Sequence, residues 1–181
     1  MKLTIPLPRA KHLADRIVET LTPGCDRIEI AGSIRRENPV VGDIEIVCIP
    51  KFQHNLFNQP VTDMPTKLDL VLNALVQSGR LLSPTKNGSK FKQFGVPAVA
   101  GLTVDLFITT AEQWGVIFAL RTGPAEYSKR LVTPRSKGGL LPDNCRVAEG
   151  RVWREGIALP TPSEIDFFKL TGYWIPPAQR G

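Results

Sequence analysis

The sequence predicts an α+β fold: a sheet-based region to about residue 110, then a mostly helical one. Three observations carry that expectation. Short runs rich in branched apolar residues concentrate in the first part, helical periodicity prevails in the second, and paired capping residues precede several helical stretches.

The elements follow in order. Residues 9–22 read as an amphipathic helix, with Ala10, Leu13, Ala14, Ile17 and Leu21 on one stripe and Pro23-Gly24 ending it. Residues 26–31 alternate around Ile28 and Ile30, and residues 43–49 form a second strand. Residues 51–65 read as a loop around Asn58-Gln59-Pro60 and Met64-Pro65. Thr66 with Asp69 three residues on caps a helix bearing Leu68, Val71, Leu72, Leu75 and Val76, and Gly79 stops it. Residues 80–108 hold two or three strands, the clearest at 103–108. Thr110 and Gln113 suggest a capping box for a helix through Leu120, and Gly123-Pro124 opens another. Residues 146–154 read as a hairpin turning at Glu149-Gly150, and Ser163 caps a last helix to Leu170. The expected domains are 1–110 and 111–181.

A chain of 181 residues holds one large or two small domains. Its 23 Lys and Arg against 17 Asp and Glu give +6, with residues 1–50 neutral and residues 51–110 and 111–181 carrying +3 each. Such an excess is the footprint of a polyanion binder, or of solubility alone. No apolar run approaches the ~20 residues of a membrane span, and the N-terminus is too weakly apolar for a secretory signal, so a cytoplasmic setting without membrane partners is expected. The three widely spaced cysteines suggest neither a disulfide framework nor a zinc site.

The residues that carry chemistry are acidic. Asp43 and Glu45 stand two apart on one strand, so their side chains leave the same face, with Cα atoms ~7 Å apart. Two such carboxylates repel unless a cation lies between them, and divalent ions would resolve the conflict. Asp105, on an otherwise apolar strand, is the natural third ligand if the two strands are neighbours. These hard oxygen donors suit Mg²⁺ or Mn²⁺. An exposed acidic face of an antiparallel sheet is the competing reading. Upstream, Gly32-Ser33 is followed by Arg35-Arg36, and Gly42-Asp43 comes about ten residues after Ser33. A Gly-Ser turn offers N–H groups and a hydroxyl to a phosphate, and Arg36 adds a fork of donors.

Gly32-Ser33, Arg35-Arg36, Gly42-Asp43-Ile44-Glu45 and the distant Asp105, in that order, resemble the catalytic core of the family X DNA polymerases, the group of DNA polymerase beta within the nucleotidyltransferase superfamily. Gln113-Trp114-Gly115, Thr122-Gly123 and the stretch from Ser163 to Phe168 extend the resemblance over nearly the whole chain. It implies a nucleotidyltransferase palm, with a mixed sheet flanked by helices, over residues 1–110, and a small helical and hairpin thumb over 111–181. It implies a minimal DNA polymerase that adds deoxynucleoside monophosphates to a DNA 3′-hydroxyl by two-metal-ion catalysis, suited to short gaps in repair. Asp43, Glu45 and Asp105 would be both metal ligands and catalytic groups for two Mg²⁺ ions, with Mn²⁺ an option. Gly32, Ser33, Arg36, Gly42, Thr122 and Gly123 would hold the nucleotide. The partners implied are gapped or primer-template DNA and a nucleoside triphosphate. A monomer is expected, and so short a core would suit a bacterial or phage-infected cell.

Basic side chains would meet the DNA backbone: Lys86, Lys90 and Lys92 in a region interleaved with Phe91 and Phe94, and Lys129 and Arg130 on a thumb helix. Two departures from the family pattern matter. Glu45 replaces an Asp, which moves the carboxylate by about a bond length, ~1.5 Å. Leu120-Arg121 stands where the family often has an aromatic pair. The alternatives are terminal transfer, nucleotidylation of an RNA end or a small molecule, and a catalytically weak nucleic-acid-binding module.

Overall fold

The computed structural model describes residues 3–55, 57, 59–172 and 174–180. A short strand β1 (Ile5–Pro6) leads into α1 (Leu7–Leu21), which starts two residues before the apolar periodicity because Pro8 suits a first helical turn. Next come β2 (Cys25–Ile30), a single helical turn α2 (Gly32–Arg35), β3 (Val40–Val41) and β4 (Ile44–Pro50). The segment expected to be a loop contains a small antiparallel pair, β5 (Gln53–His54) and β6 (Pro60–Val61); Leu56 and Asn58, part of that loop reading, lie outside the described residues. Helix α3 (Lys67–Gln77) begins with a reciprocal capping box: Thr66 Oγ1 accepts from the Asp69 amide at 3.2 Å, and the Thr66 amide donates to Asp69 at 2.9 Å. Strands β7 (Lys86–Asn87), β8 (Phe91–Gly95) and β9 (Thr103–Ile108) follow. The remaining elements are α4 (Trp114–Thr122), α5 (Ala125–Val132), β10 (Cys145–Ala148), β11 (Arg151–Arg154), β12 (Ile157–Leu159) and α6 (Glu164–Thr171).

The chain divides into two compact units, Met1–Ile30 with Pro39–Ile108, and Ala31–Asn38 with Thr109–Gly181. Residues 31–38 thus join the later part of the chain, a membership that local sequence does not express. The first unit is built on a five-stranded mixed sheet in the order β2-β4-β9-β8-β7, in which β4 and β9 run parallel and the other pairs antiparallel. Ile44, Ile46 and Cys48 of β4 and Val104 and Leu106 of β9 share one face and are buried. Helix α1 covers β2 and β4, and α3 packs beside α1. Burying such side chains stabilises the unit by ~1.5–3 kcal/mol each.

The second unit packs α4, α5 and α6 with the three-stranded meander β10-β11-β12 around Val116, Leu131, Leu141, Val152 and Phe167. The hairpin at Glu149-Gly150 matches the sequence expectation, and a second one at Glu155-Gly156 repeats it. All four residues have positive φ, as two-residue turns of the primed type require. The expected Thr110–Gln113 capping box is not formed. The Gln113 side chain instead donates through Nε2 to the Glu149 carbonyl at 2.8 Å, and α4 starts without a side-chain cap. Gly115 is required by packing: a Cβ there would stand 2.0 Å from the Ser163 carbonyl oxygen.

A part-buried ion triad ties α2 into this unit. Arg35 makes a two-pronged contact with Glu164, at 3.0 and 2.8 Å, and its guanidinium lies 3.9 Å from the centre of the Phe118 ring. Arg180, fully buried, donates to the same carboxylate at 2.9 Å. Burial pushes the Glu164 carboxyl up, but the hydrogen bonds and charges of Arg35 and then Arg180 outweigh it and hold it below its usual range. A depressed carboxyl contributes stability that is complete above the unfolded-state value, about 4.3, and is lost as pH falls through the lower folded-state value. Urea unfolding of Glu164→Gln should show a loss of about 3 kcal/mol at pH 7, because two guanidiniums lose their counter-charge. Below about pH 4.3 the variant should lose less further stability than the parent.

Candidate functional site

In the first unit, the register of β4 against β9 pairs Glu45 directly with Asp105. Neighbouring strands lie ~4.8 Å apart and residues in register share a face, so the two carboxylates stand side by side, both half-buried. Strand β8 extends the row: Gln93 pairs with Asp105, and its Nε2 donates to Asp105 Oδ1 at 2.8 Å. Gln93 is in turn held by Thr85, whose hydroxyl donates to Oε1 at 2.8 Å. The bond from Gln93 thus restrains the Asp105 carboxylate through Oδ1. No hydrogen bond to Asp105 Oδ2 occurs among the described residues. Asp43 lies just ahead of β4, in the bend that begins at Gly42, rather than on the strand itself, and both residues are half-buried. The donor set is all oxygen and anionic, which suits Mg²⁺ or Mn²⁺. Among the described residues, however, no three His, Cys, Asp or Glu side chains gather closely enough to form a metal-ligating group.

In the second unit, Gly32 opens α2 with φ of 60°, a left-handed conformation that glycine adopts freely and other residues rarely do. Ser33 follows, and its Oγ is buried with no hydrogen-bond partner among the described residues. A buried hydroxyl without a partner is costly and calls for an explanation, such as a ligand oxygen. Arg36 Nη1 donates to the Thr122 carbonyl at 2.7 Å, and Arg35 Nη1 donates to Thr122 Oγ1 at 2.6 Å. Two stretches singled out separately, residues 32–36 and Thr122-Gly123, are therefore brought together. Thr122 is fully buried and meets both arginines, while Gly123 is close-packed, since a Cβ would lie 2.6 Å from the Tyr127 ring. Arg35, fully occupied with Glu164, Thr122 and Phe118, is a positioning residue for this turn.

The basic residues separate into two kinds. Lys86, in register with Gln93, belongs to the carboxylate-bearing face of the sheet, exposed and 5.4 Å from the centre of the Phe91 ring. Lys90 is exposed in the turn before β8, and Lys129 and Arg130 are exposed in the last turn of α5. Lys92 is different. Its register with Leu106 puts it on the opposite face, where it is 9% exposed, ion-paired with Asp69 at 3.1 Å and bonded to Asn87. Burial raises the Asp69 carboxyl, and Thr66 and Lys92 together bring it below its usual range. The sequence offered one sign of this: Lys92 shares its strand face with Phe94, two residues on, which is buried. Gln93, which orients Asp105, carried no sequence signal beyond a polar position between two phenylalanines, and Glu164 stood out only within the Ser163–Phe168 stretch, with no role of its own.

Lys92→Met should lower unfolding free energy by about 1–2 kcal/mol, because Asp69 loses its partner, while leaving the salt dependence of any DNA binding unchanged. Ser33→Ala removes a hydroxyl that bonds nothing described, so differential scanning fluorimetry should place its midpoint within about 1 °C of the parent, or higher. No protein-family model matches the chain, and no curated protein matches it.

Proposed function

We propose that the chain is a divalent-metal-dependent nucleotidyltransferase that adds deoxynucleoside monophosphates to a DNA 3′-hydroxyl, suited to filling short gaps. The observation that carries the proposal is the in-register placement of Glu45 beside Asp105 on adjacent parallel strands of a mixed sheet. Adjacent anionic side chains are stable when a cation shares them, and Asp43 is two residues upstream of Glu45. In this reading the first unit is the palm and the second the thumb, and Asp43, Glu45 and Asp105 hold two Mg²⁺ or Mn²⁺ ions. Those ions supply neutralisation of phosphate charge and acidify an attacking hydroxyl.

The chain's own residues supply the rest. Gln93 holds Asp105 Oδ1, leaving Oδ2 to face a ligand or accept a proton. In the second unit, the unpartnered Ser33 hydroxyl donates to a phosphate oxygen, and Gly32 lets the backbone approach it. Arg36 adds positive charge to the same turn. Lys86, Lys90, Lys129 and Arg130 are exposed where they can meet DNA phosphates, each steepening the salt dependence of binding by about 0.9 in the log–log slope.

Primer extension on a gapped duplex with Mg²⁺ or Mn²⁺ tests the reading. Asp43→Asn and Asp105→Asn should each reduce nucleotide addition by about a hundredfold or more with the fold intact by circular dichroism. Activity unchanged in either variant would remove the carboxylate mechanism. Addition to a single strand without template would redirect the assignment to terminal transfer.

A further inference from the structure

The stripe of α1 that the sequence assigns to the core is not fully covered. Ala10, Ala14 and Leu21 are buried, but Leu13 and Ile17 are only half-buried. They line an open groove of about 290 Å³ within the first unit, formed by α1, the end of α3 with Gly79 and Arg80, and the Val96–Ala98 turn. Leu13, Arg16, Ile17 and Thr20 all line it, and their spacing of three, one and three puts them on one side of the helix. The floor is apolar, with Leu75 and Val96 beneath. Two exposed guanidiniums, Arg16 and Arg80, border it, and no Asp or Glu lines it. Neither arginine forms an ion pair among the described residues.

We propose that this groove is a docking site for a partner protein's acidic segment that carries a bulky apolar anchor. The size argues for a peptide side chain, since small-molecule pockets run from ~300 to ~1,000 Å³ and this one falls at their lower limit. One large side chain seated on Leu13, Ile17 and Val96 is the usual form of an interface anchor. The two rim arginines set the sign of the partner: carboxylates flanking the anchor find opposite charge, and a basic segment meets repulsion. The groove is formed by α1 and α3, the helices of the face opposite to Glu45 and Asp105, so its occupation is independent of the carboxylate row.

The probe is a fluorescein-labelled peptide of sequence EDLFED, titrated with the full chain and read by fluorescence anisotropy, beside its charge-reversed form KKLFKK. Saturable binding of the acidic peptide is expected, weakened about tenfold or more in the Arg16→Glu, Arg80→Glu double variant and in the reversed peptide, and weakened by added salt. Both arginines are exposed, so the double variant should melt like the parent. The proposal is overturned if no saturation occurs up to about 1 mM, a range that already covers weak docking, or if both peptides bind alike, or if the double variant binds unchanged. A concentration-dependent dimer in sedimentation velocity, lost in the double variant, would assign the groove to a second copy of this chain and equally overturn it.

Discussion

The parallel pairing of β4 with β9 is the constraint on which the first unit depends. It joins two strands far apart in sequence at the middle of a five-stranded sheet, with antiparallel neighbours on both sides. The alternation of each strand then sorts its side chains. Ile44, Ile46, Val104 and Leu106 go to one face, and Glu45 and Asp105 to the other. A slip of one residue would exchange the faces and drive carboxylates into an apolar core, at a cost no local gain could offset. Core burial therefore enforces the same register that sets the carboxylates side by side. Fold and candidate chemistry share one cause.

The second unit follows a different logic. Its core is helical and aliphatic, but the turn carrying Gly32, Ser33 and Arg36 is held by charge. Glu164 receives two guanidiniums, one from a turn early in the chain and one from near its end. Such a part-buried triad contributes little net stability compared with apolar packing, yet it fixes geometry, because each partner is costly to leave alone. The arrangement leaves the Ser33 hydroxyl buried and without a partner, where ordinary packing would have satisfied it. That unresolved donor is the feature of this unit that points most directly to a ligand.

Much of this was legible in the sequence, for reasons that are local. The caps expected at Thr66 with Asp69 and at Ser163 both form, the second also as a reciprocal box with Asp166, because Ser or Thr and an acid three residues on need nothing beyond one helical turn. The strand at 103–108 and the turn at Glu149-Gly150 are likewise short-range matters of parity and backbone conformation. Where a distant group competed, the local reading failed. Gln113 bonds the Glu149 carbonyl instead of capping its helix, and Lys92 turns inward to Asp69 instead of outward with Lys86.

The sequence by itself thus determined the fold class, most element positions and the order of Gly-Ser, paired arginines and acidic residues, because these depend on neighbours within a few positions. Tertiary structure alone decided that Glu45 meets Asp105, that Gln93 orients that carboxylate, and that Arg35 is consumed by Glu164. It also decided that Leu13 and Ile17 line a groove instead of a closed core. Each of these joins residues that are well separated in sequence or sets what packs over them. Strand order, register and burial follow from how the whole apolar surface is covered, which no local pattern encodes.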